Sequence, residues 1–164
     1  MYTRILVPVD GSATSQQAQD HAARLAQLSG ASMILLHILD ELTHSNGFER
    51  PETYIQDIRP RFLAAGQLLL DATATDLRHK GLEVQTVLVE SHGARVSELI
   101  ARQAEASGCD LIVLGTHGRR GFNRLMLGSD AEQVARTAPV PVMLVRSHRA
   151  SEASHDTGRA GFGD

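Results

Sequence analysis

Features that would indicate several other classes of protein are missing from this chain of 164 residues. Its one cysteine, Cys109, rules out an internal disulfide, and no cysteines and histidines have zinc-finger spacing. No run approaches the roughly 18 apolar residues of a membrane-spanning helix, and the first ten residues lack the long apolar region of a signal peptide. We therefore predict a cytoplasmic protein with no membrane partner and no site held by a metal alone.

Lysine is also scarce, and basic residues are not in excess. The formal net charge is −3 and the pI is near 6.2, so nothing suggests the basic face that nucleic acid needs. The only lysine is Lys80. A Walker-type P-loop requires Gly-Lys-Ser/Thr, and no glycine precedes this lysine. The sequence excludes that phosphate site and makes nucleic acid an unlikely partner.

What the chain does contain is an alternation of strand and helix patterns. The predicted strands are continuously apolar, as in parallel sheets covered on both faces: Ile5 to Val9, Met33 to Leu39, Val84 to Val89, Leu111 to Leu114 and Val140 to Val145. The predicted helices between them are Ser15 to Ser29, Pro60 to Lys80, Ala94 to Ser107 and Ser129 to Thr137. This order predicts one α/β domain with a doubly wound open sheet, whose ligands bind at the carboxyl ends of the strands.

A long glycine-containing connection follows the fourth predicted strand. It reads Gly115-Thr116-His117-Gly118, then nine residues, then Gly128-Ser129 at the start of a helix. Backbone N–H groups and a helix N-terminus can together bind a phosphate, although glycines also serve simply to make turns. Connections in α/β units usually have about 2–6 residues, so the length favours a functional loop. The spacing does not fit the dinucleotide fingerprint G-x-G-x-x-G.

These residues resemble the nucleotide-binding signature G-x2-G-x9-G-S of the universal stress protein family. Similar likeness is seen in the opening Ile5-Leu6-Val7-Pro8-Val9-Asp10-Gly11-Ser12, in Leu35-Leu36-His37-Ile38 and in Ala138-Pro139-Val140-Pro141-Val142. The resemblance covers residues 1–146 as one universal stress protein domain. It implies a five-stranded parallel open sheet of order 3-2-1-4-5 with helices on both faces, the adenine nucleotide alpha-hydrolase-like fold.

The resemblance also implies an adenine nucleotide in the cleft between strands one and four. The implied binding residues are Pro8, Asp10, Ile38, Gly115, Gly118, Gly128, Ser129 and Asp130. Pro8 and the Ile38 backbone would form the adenine pocket, although both could be plain core or turn residues. Asp10 would accept from the ribose hydroxyls, and the alternative is that it stabilises the following turn.

In the same picture Gly115 would let the ribose approach, while Gly118, Gly128 and Ser129 would donate to the phosphates. Asp130 lies in the first turn of the following helix, where an acid would repel a triphosphate or reach it through Mg²⁺. AMP, ADP and ATP all remain possible. The loop cations are His117, Arg119, Arg120 and Arg124, for which solvent exposure is the simpler reading.

No constellation of catalytic residues is recognisable, so we expect a dimeric nucleotide-dependent regulator of the stress response with at most slow ATP hydrolysis. The alternative is a dimeric interaction module that binds no nucleotide. The resemblance implies a homodimer through strand five, about Val140 to Val145. A phosphoacceptor receiver domain fits poorly, because no lysine follows residue 80.

Two segments stand outside the strand and helix pattern. The polar stretch Asp40 to Arg59 is interpreted as a mobile flap near the end of the second strand. Residues 147–164 are rich in Ser, Gly, Ala and charge and poor in branched aliphatics, so we predict a disordered tail. The remaining histidines, including His21, His37 and His79, are interpreted as surface or packing residues.

Overall fold

The computed structural model describes residues 1–40, 54–116 and 127–146. Its strands are β1 (Arg4–Pro8), β2 (Ser32–Leu39), β3 (Val84–Glu90), β4 (Leu111–Gly115) and β5 (Val142–Val145). Its helices are α1 (Ala13–Ser29), α2 (Arg59–His79), α3 (Val96–Ala106) and α4 (Ser129–Thr137), and a single π-helical turn (Tyr54–Ile58) leads into α2. Each predicted strand and helix is present, with bounds shifted by one or two residues.

All neighbouring strands pair in parallel, in the order β3-β2-β1-β4-β5. This confirms the predicted sheet. The chain winds from β1 outward to β3, then crosses back to β4, so the direction of winding reverses between β1 and β4. Such a reversal leaves a crevice at the carboxyl ends of the two strands, which is where ligands of open α/β sheets bind.

The sheet separates two apolar cores. On one face the β1 and β2 side chains with odd numbers pack against α1 and α2, in a cluster that includes Ile5, Leu35, Ala22 and Leu70. On the other face the even-numbered side chains pack against α3 and α4, with Leu6, Ile34, Ile100 and Val134. Both faces are therefore buried, which explains why the strands are continuously apolar rather than alternating.

The end of α1 agrees with the sequence, and its start lies earlier than predicted. Ser12 is the N-cap, and its Oγ accepts from the Ser15 N–H at 3.2 Å, so the helix begins at Ala13. Gly30 ends it in the left-handed conformation with φ 72°, as its position predicted. A serine three residues before another serine is a weaker start signal than a capping box, which accounts for the shift.

Two other bounds need correction. The segment interpreted as a flap is helical from Tyr54 onward, since the π-helical turn continues directly into α2 with Pro60 in the first turn. Strand β5 begins at Val142 rather than Val140. Val140 lies between Pro139 and Pro141, and neither proline has an N–H to donate to a ladder. Residues 41–53 and the predicted tail, 147–164, lie outside the described part of the chain.

Candidate functional site

The crevice between β1 and β4 opens at Pro8. Strand β1 pairs with β2 along its whole length, from Arg4 to Pro8, but with β4 only at Ile5 and Leu6. The Val9 N–H donates to Leu36 in β2 at 2.7 Å, so the preceding residue directs its peptide groups toward β4. Proline has no N–H to donate there, and the ladder ends. Pro8 thus separates the two strands at the reversal point, a role that does not depend on a ligand.

Asp10 follows directly and shapes the turn into α1. Its Oδ1 accepts from the Ser12 N–H at 2.9 Å, and Gly11 between them has φ 79°, which only glycine adopts readily. The turn-stabilising role considered for Asp10 is therefore present for one carboxylate oxygen. The carboxylate lies at the end of β1, beside the crevice.

Ser15 stabilises this turn through hydrogen bonds, and sequence reasoning did not identify this residue as part of the site. Its side chain is 5% exposed, and its Oγ donates to the Pro8 carbonyl at 3.3 Å while lying 3.3 Å from the Asp10 N–H. Gln19, one turn further along α1, donates to Ser15 Oγ through its side-chain amide. Ser15 connects the end of β1 to α1 and fixes where Asp10 stands.

Ile38 presents its peptide groups to the end of β1. The Leu36 carbonyl accepts from β1 and the Leu39 carbonyl accepts from Ser91 after β3, so successive peptides of β2 face alternate neighbours. The Ile38 N–H and C=O belong to the set that faces β1, at a level where the β1 ladder has ended at Pro8. The contact with adenine that the family resemblance implied for the Ile38 backbone stays a prediction.

Gly115 packs against the first turn of α1. A Cβ at this position would lie 2.9 Å from the carbonyl carbon and the Cβ of Thr14, and 3.0 Å from its carbonyl oxygen. The space that a side chain would need is filled by Thr14, mostly by its backbone. Close strand–helix contact therefore gives a structural reason for this glycine, and the ribose approach that the resemblance implied stays a prediction.

The N-terminus of α4 is attached to the end of β4. Gly128 is the N-cap with φ −62°, and its N–H donates to the Thr116 carbonyl at 2.8 Å. That amide joins the two ends of the loop, and the phosphate role expected for Gly128 stays a prediction. The N-cap glycine has no side chain that could cap α4, and the first helical residues are Ser129 and Asp130.

The Ser129 and Asp130 side chains are both exposed at the start of α4, which is the positive end of the helix dipole. Asp130 and Glu132 are the acidic residues of this first turn. Gly118 and the loop cations His117, Arg119, Arg120 and Arg124 lie outside the described residues. The structure thus brings Pro8, Asp10, Ile38 and Gly115 to one edge of the sheet, with Gly128, Ser129 and Asp130 at the helix that follows β4.

An ion pair lies at the far end of the same edge. Arg59, the first residue of α2, donates through Nε and a terminal nitrogen to the two oxygens of Glu90 at the end of β3, each at 2.6 Å. Arg59 holds the pKa of the Glu90 carboxyl below its usual value, chiefly through this hydrogen bonding. The pair fixes the start of α2 against the sheet.

Other candidate chemistry is weak in the described part of the chain. No group of three or more His, Cys, Asp or Glu side chains there is placed to hold a metal ion. Burial raises the pKa of the Cys109 thiol to about 11, so little thiolate forms at neutral pH. No helix among the described residues has both the length and the apolar character to span a membrane.

The profile of the universal stress protein family matches residues 1–146. The chain belongs to this family. A curated relative, the universal stress protein YxiE of Bacillus subtilis, is 30% identical over 151 residues, covering 89% of this chain and 100% of that protein. Relatives of this similarity span the whole universal stress protein domain, not only the glycine loop.

Solved structures give the same assignment. This universal stress protein superposes on MJ0577 of Methanocaldococcus jannaschii with a TM-score of 0.78 and 27% identity, over 92% of this chain and 99% of that one. The shared architecture is the adenine nucleotide alpha-hydrolase-like fold that the resemblance implied.

Two further neighbours were solved with nucleotides. One is a universal stress protein in complex with cAMP, with a TM-score of 0.63 and 22% identity over 88% of this chain and 97% of that one. The other is from Archaeoglobus fulgidus, in complex with dAMP, with a TM-score of 0.60 and 24% identity over 88% and 98%. At this identity the likeness shows a common fold.

His37 was interpreted as a surface or packing residue, and the structure gives it a more specific place. It is 3% exposed, and its Nδ1 lies 2.6 Å from the Val9 carbonyl oxygen. A carbonyl only accepts, so this ring nitrogen carries the proton. The sequence shows a histidine within an apolar strand, but it does not show that its partner is Val9, 28 positions earlier.

Proposed function

We propose that this chain binds an adenine nucleotide in the crevice between β1 and β4 and acts as a dimeric, nucleotide-dependent regulator in the stress response, with at most slow ATP hydrolysis. The observation that carries the proposal is the early end of the β1–β4 ladder at Pro8, beside an Ile38 peptide that faces the opening. Membership of the family and the cAMP and dAMP complexes of proteins with this fold support it.

The adenine is placed at the end of β2. Adenine carries an acceptor, N1, next to a donor, the 6-amino group, and the Ile38 N–H and C=O offer the matching donor and acceptor. The Pro8 ring and the Ile38 side chain would supply apolar contact to the base. Backbone recognition of this kind needs no particular side chain at 38, only an apolar one.

The ribose and phosphates follow toward α4. Asp10 stands at the end of β1, where a carboxylate can accept from ribose hydroxyls. The N-terminus of α4, whose N-cap is a glycine, would offer Ser129 and the first amides of the helix to the phosphates. We propose that Gly118 and Gly128 contribute from the two ends of the loop, although the Gly128 amide donates to Thr116 in this structure.

Asp130 bears on which nucleotide is bound. A carboxylate in the first turn of α4 competes with a phosphate for the same positive dipole. A bound Mg²⁺ would join the two, because carboxylate and phosphate oxygens are its preferred ligands. We propose that Mg²⁺ strengthens ATP binding through Asp130 and matters less for AMP.

We propose dimerisation through the outer edge of β5, which pairs with no further strand among the described residues. The Pro141 and Val145 carbonyls accept from β4, so the peptide groups of Val142 and Leu144 face outward along the edge of the sheet. An unpaired apolar edge favours pairing with a second strand. A dimeric interaction module would use the same surface. Whether a nucleotide binds in the crevice therefore distinguishes the two functions.

The first experiment identifies small molecules released from natively purified protein by mass spectrometry and titrates AMP, ADP and ATP by calorimetry, with and without Mg²⁺. Stoichiometric binding of an adenine nucleotide supports the proposal. If none of the three binds, the interaction module becomes the better account.

The variant Asp10→Asn tests the ribose contact specifically. Asparagine keeps the Oδ1 that accepts from Ser12, so the turn should survive, while the carboxylate charge is lost. AMP affinity should fall roughly tenfold, the amount expected for one hydrogen bond to a charged group. An AMP analogue without the 2′ and 3′ hydroxyls serves as the control, and its affinity should be the same for both proteins. Equal losses for the two ligands would place the ribose elsewhere.

A further inference from the structure

The Val9 carbonyl is the point at which β1 leaves the sheet, and two donors compete for it. The Val9 N–H already donates to Leu36. In a regular parallel ladder the next bond would run from the Ile38 N–H to the Val9 carbonyl. Instead His37 Nδ1–H donates to that oxygen at 2.6 Å, and no bond between Ile38 and Val9 forms within the described residues.

The imidazole is held in this position by α2. Gly66 faces the ring, and a Cβ there would lie 2.7 Å from His37 Cδ2 and 3.1 Å from Nε2. The Leu88 side chain bounds the same space, 3.1 Å from that hypothetical Cβ. The ring therefore fills a slot that only glycine at 66 leaves open, and its Nδ1 is kept on the Val9 carbonyl.

We infer that His37 is a positioning residue that keeps the Ile38 N–H available to the base and so sets the preference for adenine, an inference that rests on the proposed nucleotide site. Guanine and hypoxanthine carry a donor at N1 and an acceptor at position 6, the reverse of adenine. The Ile38 N–H can therefore donate to N1 of adenine but not to N1 of guanine or hypoxanthine. When His37 satisfies Val9, this N–H stays directed at the ligand.

The test compares ADP with IDP, which differ at these two base positions only. In His37→Leu the Val9 carbonyl loses its donor and becomes the natural acceptor for the Ile38 N–H. The affinity for ADP should fall about tenfold, and the ratio of ADP to IDP affinity should fall with it. His37→Asn places an amide donor near the Nδ1 position and should recover most of the ratio.

Leu77→Ala is the matched control. Leu77 is 2% exposed in the same core cluster, at the other end of α2. Its truncation lowers stability without touching Val9, so the ratio should not change. An unchanged ratio in His37→Leu, or an equal change in Leu77→Ala, overturns the inference. If His37→Leu does not fold, Gly66→Ala displaces the ring and should lower the ratio in the same direction.

Failure of the proposed function would be recognised separately. If the unmodified protein binds neither ADP nor IDP, the nucleotide site is wrong, and amide hydrogen exchange tests the positioning role alone. The Ile38 N–H should exchange rapidly in the unmodified protein and become protected in His37→Leu as it bonds to Val9. Protection that is the same in both proteins overturns the inference.

Discussion

The contact between Gly115 and Thr14 allows a prediction whose size can be worked out. In Gly115→Ala the new Cβ would lie 2.9 Å from two Thr14 carbon atoms. Carbon atoms prefer separations of about 3.5–4.0 Å, so the end of β4 and the start of α1 must move apart by about 0.5 Å or more. The carbonyl carbon and oxygen of Thr14 are backbone atoms and cannot rotate aside.

Overpacking of this kind costs about 1–3 kcal/mol, while replacing glycine by alanine returns about 0.4–1 kcal/mol through the unfolded state. We therefore expect the free energy of unfolding to fall by about 1–2 kcal/mol. For a chain of this size the melting temperature should drop by about 2–8 °C. Urea unfolding and a thermal melt measure the two quantities directly.

Gly30→Ala is the control for the chemical change itself. No atom lies within 4 Å of a Cβ at Gly30, but its φ of 72° makes the substitution strained. Gly30→Ala should lower stability and leave nucleotide affinity unchanged, whereas Gly115→Ala should lower both because it shifts the edge of the crevice. If Gly115→Ala is as stable as the unmodified protein, the close contact does not explain this glycine.

Two further predictions concern the sheet. Burial alone would raise the pKa of Asp110, but hydrogen bonds from Arg4 and Thr3 hold it below its usual value. The ionised carboxylate therefore stabilises the fold above pH about 4, and this stabilisation is lost as the pH falls through the folded-state pKa. The difference in free energy of unfolding between the unmodified protein and Asp110→Asn should shrink between pH 7 and 3, and a constant difference would contradict this. Val142→Pro removes only an outward N–H at the edge of β5, so sedimentation should show a folded monomer; a persistent dimer would move the interface elsewhere.

Much of the fold was predictable because it depends on local patterns. The continuous apolar strands and the helices between them follow from burial on both faces of a parallel sheet. The reversal between β1 and β4 followed from the family resemblance, and the structure confirms it. Gly30 was predictable as the end of α1 because the left-handed conformation depends on one residue alone.

Sequence reasoning did not anticipate several contacts between different elements of the fold. Gly115 packs against Thr14, which is about a hundred positions earlier, and its role beside the ribose stays a prediction. The Gly128 amide donates to Thr116 at the other end of the loop. The ring of His37 in β2 needs Gly66 on helix α2. Thr14 and Gly115, like His37 and Gly66, are too far apart along the chain for a local sequence pattern to contain both.

The Arg59–Glu90 ion pair makes the β2–α2 connection replaceable. The carbonyl of Leu39 is fixed to Ser91, and Arg59 is fixed to Glu90, so both ends of the connection are attached to β3 or its exit. Doubling the length of a flexible connection costs only about 0.6 kcal/mol in closure entropy. Natural insertions, or a reporter peptide introduced by engineering, could therefore enter between these two anchors and leave the register of the sheet intact.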